Sequence, residues 1–136
     1  MQVEFAFIAE AADAQNGLFY VVRGGTDIWN TPAEAKFPFS IGPMSFIVRL
    51  TGDPSEVGNK VVLRSTVVDA DGRSLGVEGS GEIELSAHPL DRTRAGSALI
   101  HFRLGFQVPS PGAYFFEVHG TAGRLCQVPF WVLQGS

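Results

Sequence analysis

The sequence predicts an all-β domain, a two-layer antiparallel β-sandwich of the immunoglobulin-like or C2-like kind, with about eight strands and one or two short helical turns. Three observations predict it. Apolar residues recur with period two, the spacing that sends alternate side chains to opposite faces of a strand. Sixteen glycines and eight prolines punctuate those runs at short intervals. The length of 136 residues with 45% hydrophobic side chains suits one core, so a single domain is expected over residues 1–136.

The elements follow in order. In residues 3–7, Val3, Phe5 and Phe7 alternate with Glu4 and Ala6 and predict one apolar face. Residues 10–15 are rich in alanine and predict a helical turn. A second run, residues 18–23, ends at Gly24-Gly25. Thr31-Pro32-Ala33-Glu34 carries the threonine, proline and glutamate of a capped helix start. After the break Gly42-Pro43, Met44, Phe46, Val48 and Leu50 alternate with Ser45, Ile47, Arg49 and Thr51. Residues 60–68 form a strand that turns at Asp69-Ala70-Asp71-Gly72 into the short run 74–77. In residues 82–88, Ile83, Leu85 and Ala87 oppose Glu82, Glu84 and Ser86. The longest alternation places Ala98, Ile100, Phe102, Leu104, Phe106 and Val108 on one face.

The last third admits a test of register. Pairing Gln107 with Ala113 across 108–112 sets Phe106 against Tyr114, Leu104 against Phe116 and Phe102 against Val118, with Arg103 meeting Glu117 behind them. Phe115 would then cover Gly105. If Thr121-Ala122-Gly123 forms the next loop, Val118 opposes Cys126, Phe116 opposes Val128 and Tyr114 opposes Phe130. Strand 112–119 is then central. Pro129 donates no ladder hydrogen bond, so the last strand is expected at an edge or with a bulge. The expected core holds Phe5, Phe46, Val48, Leu85, Ile100, Phe102, Leu104, Tyr114, Phe116 and Phe130.

Composition narrows the function classes. A formal net charge of −4 repels phosphate backbones, so nucleic acid is not expected as a partner. No apolar run approaches the roughly 20 residues of a spanning helix, and the acidic start Met1-Gln2-Val3-Glu4 lacks the basic lead of a secretory signal. No membrane association is expected, and the expected location is cytoplasmic. Cys126 is the sole cysteine and has no partner for a disulfide or a thiolate zinc site.

Candidate chemistry is sparse. His101 and His119 become cross-strand neighbours near Glu117 in the register above, but Glu117 is spoken for by Arg103, so a solvated polar face is expected there. Asp69 and Asp71 before Gly72 suit a turn that caps its own backbone better than a calcium loop. There is no GxSxG elbow, and the glycine-rich residues 76–81 precede no helix that would cradle a phosphate. Tyr114 stands where many sandwiches hold a tyrosine bonded back to a loop. Neither a metal nor a cofactor is expected.

Several stretches resemble a bacterial family of small β domains of unknown function. They are Met1-Gln2-Val3-Glu4-Phe5-Ala6-Phe7, Gly17-Leu18 leading to Gly24-Gly25-Thr26-Asp27, then Asp69-Ala70-Asp71-Gly72, Pro111-Gly112-Ala113-Tyr114 and Pro129-Phe130-Trp131-Val132. The resemblance spans nearly the whole chain. Its proteins often carry a Cys-Asp pair after the first strand, where this chain has Ala9-Glu10, and it implies no activity.

The leading expectation is therefore a non-catalytic binding or assembly module, acting through an edge strand or loops on a protein partner or a second copy. The alternatives are a small-molecule or carbohydrate-binding sandwich and, behind it, a small hydrolase or lyase. If a site exists, it is expected in residues 24–42, the longest stretch without clear strand periodicity. That stretch offers Asp27, Trp29, Asn30, Phe37 and Phe39. The competing expectation is that Trp29, Phe37 and Phe39 fold inward and close one end of the sandwich.

Overall fold

Two sheets face each other across an aromatic interior in the computed structural model, which describes residues 1–15 and 18–135, with residues 14 and 15 described in backbone only. Its strands are β1 (Gln2–Gln15), β2 (Leu18–Gly24), β3 (Ile28–Thr31), β4 (Phe39–Gly52), β5 (Lys60–Asp69), β6 (Ser74–Glu84), β7 (Gly96–Val108), β8 (Gly112–Gly120) and β9 (Gly123–Gln134). One sheet is antiparallel with the order β2-β1-β4-β7, and the other runs β3-β9-β8-β5-β6. The expected all-β sandwich is thus present, with nine strands among the described residues. The antiparallel rule has one exception, because β3 lies parallel to β9.

The inward faces are those that the alternation marks. Met44, Phe46, Val48 and Leu50 of β4, Ile100 through Val108 at every second position of β7, and Tyr114, Phe116 and Val118 of β8 are all buried in one cluster. Phe46 and Phe116 stack between the sheets at 5.0 Å, and Phe116 meets Phe130 at the same distance. Tyr114 stacks on Phe130 and donates its hydroxyl to the carbonyl of Ser110, so it both packs and ties down the preceding bend. The β8–β9 register is the expected one as far as Val118, with Tyr114 opposite Phe130, Phe116 opposite Val128 and Val118 opposite Cys126, but it shifts beyond that residue and Gly123 pairs with Gly120 instead of closing a three-residue loop. The β5–β6 turn is also as expected. Asp69 Oδ1 accepts from the amides of Asp71 and Arg73 at 2.9 Å each, and Gly72 takes a φ of +81° that suits glycine.

Several expectations are overturned. First, β7 and β8 do not form a hairpin, because β7 belongs to one sheet and β8 pairs with β5 and β9 in the other. Their apolar faces meet across the interior, as Phe106 and Phe116 do edge to face at 6.0 Å. Alternation fixes which face is buried but is blind to whether the apposed strand lies beside or above. The prolines in 108–112 favour an arch between layers over a tight turn. Arg103 and Glu117 are consequently on opposite outer faces, as are His101 and His119.

Second, Phe5 is outside the core, 39% exposed, because a register shift between Val3 and Phe5 makes Glu4 a bulge. Val3 still points inward, but beyond the bulge Ala6 and Ile8 do so, and Phe5 stacks on Phe7 outside. Third, residues 10–15 continue β1 as strand; pairing with β2 outweighs the helix preference of alanine. Fourth, Thr31 closes β3 and the next residues make a single turn, with Ala35 donating to Pro32, instead of a helix. The helical turn lies instead at Pro54–Glu56. Fifth, residues 74–84 form one strand through the glycines of 76–81, and the break at Gly42-Pro43 is a bulge inside β4.

Pro129 is placed by the same logic of unpaired donors. Trp131 donates its amide to the carbonyl of Asp27, where the β3 pairing begins. Two residues earlier the same side of β9 has no paired strand among the described residues, so a proline leaves no donor unsatisfied there. Strand β9 is an edge over that stretch alone.

Candidate functional site

The predicted segment, residues 24–42, is built differently from a free loop. It contains β3 and the start of β4, and it is tied to the end of β9. Thr31 donates to Leu133, and the Gln134 amide donates to the carbonyls of Ala33 and Ala35. Trp29, Phe37 and Phe39 are partly buried against the core, with Phe37 and Phe39 rings 6.1 Å apart. The Trp29 indole N–H is buried without an acceptor among the described residues. Asp27 and Asn30 are exposed. Strand alternation turns Trp29 inward, whereas its neighbours Ile28 and Asn30 face outward and are exposed.

On the outer face of the five-stranded sheet, the buried Glu117 carboxylate takes a hydrogen bond from His119 at 3.2 Å, Arg124 at 3.1 Å and Gln127 at 3.0 Å. These donors satisfy a carboxylate that burial would otherwise penalise, and the cluster is complete without a ligand. Cys126 packs against the core, and burial pushes its thiol pKa up, away from a reactive thiolate. Among the described residues no group of three or more His, Cys, Asp or Glu side chains is placed to hold a metal ion. No helix among them is long and apolar enough to cross a membrane.

The outer face of the antiparallel sheet is the most unusual surface. Register across β1, β4 and β7 arranges it in rows, with Phe5, Arg49 and Leu99 in one, Phe7, Ile47 and His101 in the next, and Ala9, Ser45 and Arg103 in the third. Ala9 and Ile47 have no exposed surface although they are not part of the inter-sheet core, so something covers them from outside. The cover is the distal half of β1 with β2. Phe19 of β2 stands edge-on to His101, ring centroids 6.5 Å apart, and Glu10, Ala11 and Ala12 wall a small hollow with Ser45 and Arg103. His101 Nε2 lies 2.8 Å from Ser45 Oγ. Burial, reinforced by Arg103 and opposed by Asp13, holds the His101 pKa below its ordinary 6.5.

Two features result. Where the cover ends, a cleft of about 320 Å³ opens between Phe5, Phe7, Arg49 and Leu99 below and Leu18, Phe19 and Val21 above. Beyond it, β2 is the last strand of its sheet and is strongly apolar, with Leu18, Tyr20 and Val22 each more than half exposed. Sequence reasoning found β2 as a strand but not as the exposed edge. The signal was present in Leu18-Phe19-Tyr20-Val21-Val22, five consecutive large apolar residues, where a half-buried strand should alternate.

These features define a β-sandwich domain with an exposed apolar edge strand. The chain belongs to DUF6941, a family of unknown function, whose model matches residues 4–132. Of the motifs that carry the resemblance noted above, Gly17 lies outside the described residues. No curated protein sequence matches the chain significantly. Among solved structures it is similar to part of a β-glucosidase from Listeria innocua in complex with glucose, with 14% identity and a TM-score of 0.51 over 79% of this chain. It is also similar to part of the Pseudomonas fluorescens alkylpurine DNA glycosylase AlkC bound to DNA containing an abasic site analog, with 15% identity and a TM-score of 0.40 over 78% of this chain. The chain spans 15% and 27% of those two proteins, and at such identities the first likeness concerns the fold alone.

Proposed function

We propose that this domain is a non-catalytic binding or assembly module that takes an extended segment of a protein partner along β2. The observation that carries the reading is the chemistry of that edge. Proteins ordinarily protect an exposed edge with charge, proline, a bulge or very short length. Strand β2 is seven residues long, and its one charged side chain, Arg23, is 3.3 Å from Glu10 of its own hairpin. Its exposed Tyr20, Val21 and Val22 are the aromatic and β-branched types that favour strand pairing. Strand addition satisfies the free amides and carbonyls while burying Tyr20 and Val22.

The test is a comparison of wild type with Tyr20→Lys and Val22→Lys, by light scattering of the purified protein and by co-purification of partners from the host. Exposed positions tolerate lysine with little change in melting temperature. The reading requires that a complex seen with wild type be lost in both variants. A wild-type protein that stays monomeric and captures nothing, or a complex indifferent to both lysines, counts against it.

A further inference from the structure

The cleft beside β2 has a chemistry that strand addition does not use. Its walls are formed by Phe5, Phe7, Leu18, Phe19, Val21 and Leu99, and among the described residues that line it Arg49 is the one charged group. Register places that guanidinium between Phe5 and Leu99 on the sheet face, so the charge sits at one side of an otherwise apolar space. Its Nε contacts Glu4 Oε2 at 2.8 Å and its Nη2 donates to Ser97 Oγ at 3.4 Å. A guanidinium has five N–H donors, so these contacts leave donors to spare. Glu4 is half exposed and on a surface where solvent screens it, so it holds Arg49 only weakly.

We propose that this cleft binds a small apolar carboxylate, its tail under Phe19 and Val21 and its carboxylate on Arg49. Charge selects the class. A cation is repelled by Arg49, and a neutral hydrophobe partly desolvates the guanidinium without offering its spare donors a new acceptor, a net cost. A carboxylate makes the paired, charge-assisted hydrogen bonds that arginine geometry favours. Size selects within the class. A volume of about 320 Å³ is at the small end of ligand sites, which suits a medium-length alkyl or arylalkyl acid. Glu4 acts as the internal competitor that such a ligand displaces. This site is separate from the edge of β2, because its ligand meets the side chains that β2 turns toward the sheet and not its free backbone.

The experiment titrates octanoate, octanol and octylammonium into the full chain, followed by calorimetry and by amide and methyl NMR shifts. Wild type binds octanoate with a Kd between about 10 μM and 1 mM, in line with a ligand of that size, and binds the alcohol and the amine at least tenfold more weakly, roughly the value of a charge-assisted pair. R49L abolishes that preference, L99W blocks all three ligands, and E4Q tightens octanoate by about threefold because the competing carboxylate is gone. V22K leaves octanoate binding intact, whatever it does to partner capture, so the two readings fail separately. Equal binding of octanol and octanoate, no change in R49L, or no saturable binding of octanoate below about 10 mM overturns the assignment.

Discussion

Phe46 of β4 and Phe116 of β8 stack between the two sheets with ring centroids 5.0 Å apart and planes 25° from parallel, so one aromatic stack spans the two layers. Both rings are fully buried. Phe116→Ala should therefore cost about 3–5 kcal/mol in urea unfolding, the transfer loss plus a cavity that neighbours fixed in two sheets cannot close. Phe5→Ala provides the contrast. Because the Glu4 bulge turns Phe5 outward, its truncation should cost less than about 1 kcal/mol. Equal losses at the two positions would place Phe5 back in the core and contradict the bulge.

Trp29 packs against the core from β3, between the exposed Ile28 and Asn30. Trp29→Ala is expected to lower stability by about 2–4 kcal/mol, visible as a melting temperature reduced by several degrees. An unchanged melting temperature would mean that the ring is an exposed anchor.

Glu117 is tied to Arg124 across the β8–β9 ladder and lies on the far side of the molecule from Arg103. A double-mutant cycle for Arg103→Ala with Glu117→Ala should give no coupling, within about 0.3–0.5 kcal/mol. The cycle for Arg124→Ala with Glu117→Ala should give a favourable coupling of roughly 0.5–1 kcal/mol. Coupling in the first cycle would restore the β7–β8 hairpin and break the assignment of those strands to different sheets.

His101 connects pH to the cover on the outer face. Its folded pKa is depressed by burial, so above its ordinary 6.5 both folded and unfolded states are neutral there. As pH falls through that value, the unfolded chain takes up a proton that the folded one resists, and stability declines. The decline continues down to the depressed folded pKa and then levels off for this group. His101→Gln should flatten that part of the stability profile just below pH 6.5, whereas a profile unchanged by the substitution would show that His101 titrates freely.

Much of this fold was legible in the residues, and the failures share a cause. Period-two alternation identified the buried faces of β4, β7 and β8 and nine of the ten expected core residues, because burial is a property of one strand at a time. The partner of each strand is a property of two, so the same pattern for residues 97–119 fitted a hairpin and an arch equally well. Phe5 was misplaced because a one-residue bulge inverts every later side chain without altering composition. Strand β3 escaped notice because four residues, Ile28–Thr31, are too few to show a period. The cleft was invisible in the sequence, since it joins residues from β1, β2, β4 and β7 that only the curl of the first hairpin brings together.

If β2 is the surface on which this domain takes a protein partner, amide hydrogen exchange of the bound and free forms reads it out. Binding is then expected to slow exchange at residues 18–24, above all at the amides facing away from β1, with little change on the Glu117 face of the other sheet. Protection confined to that other face, with residues 18–24 exchanging as fast in the complex as in the free domain, would contradict it.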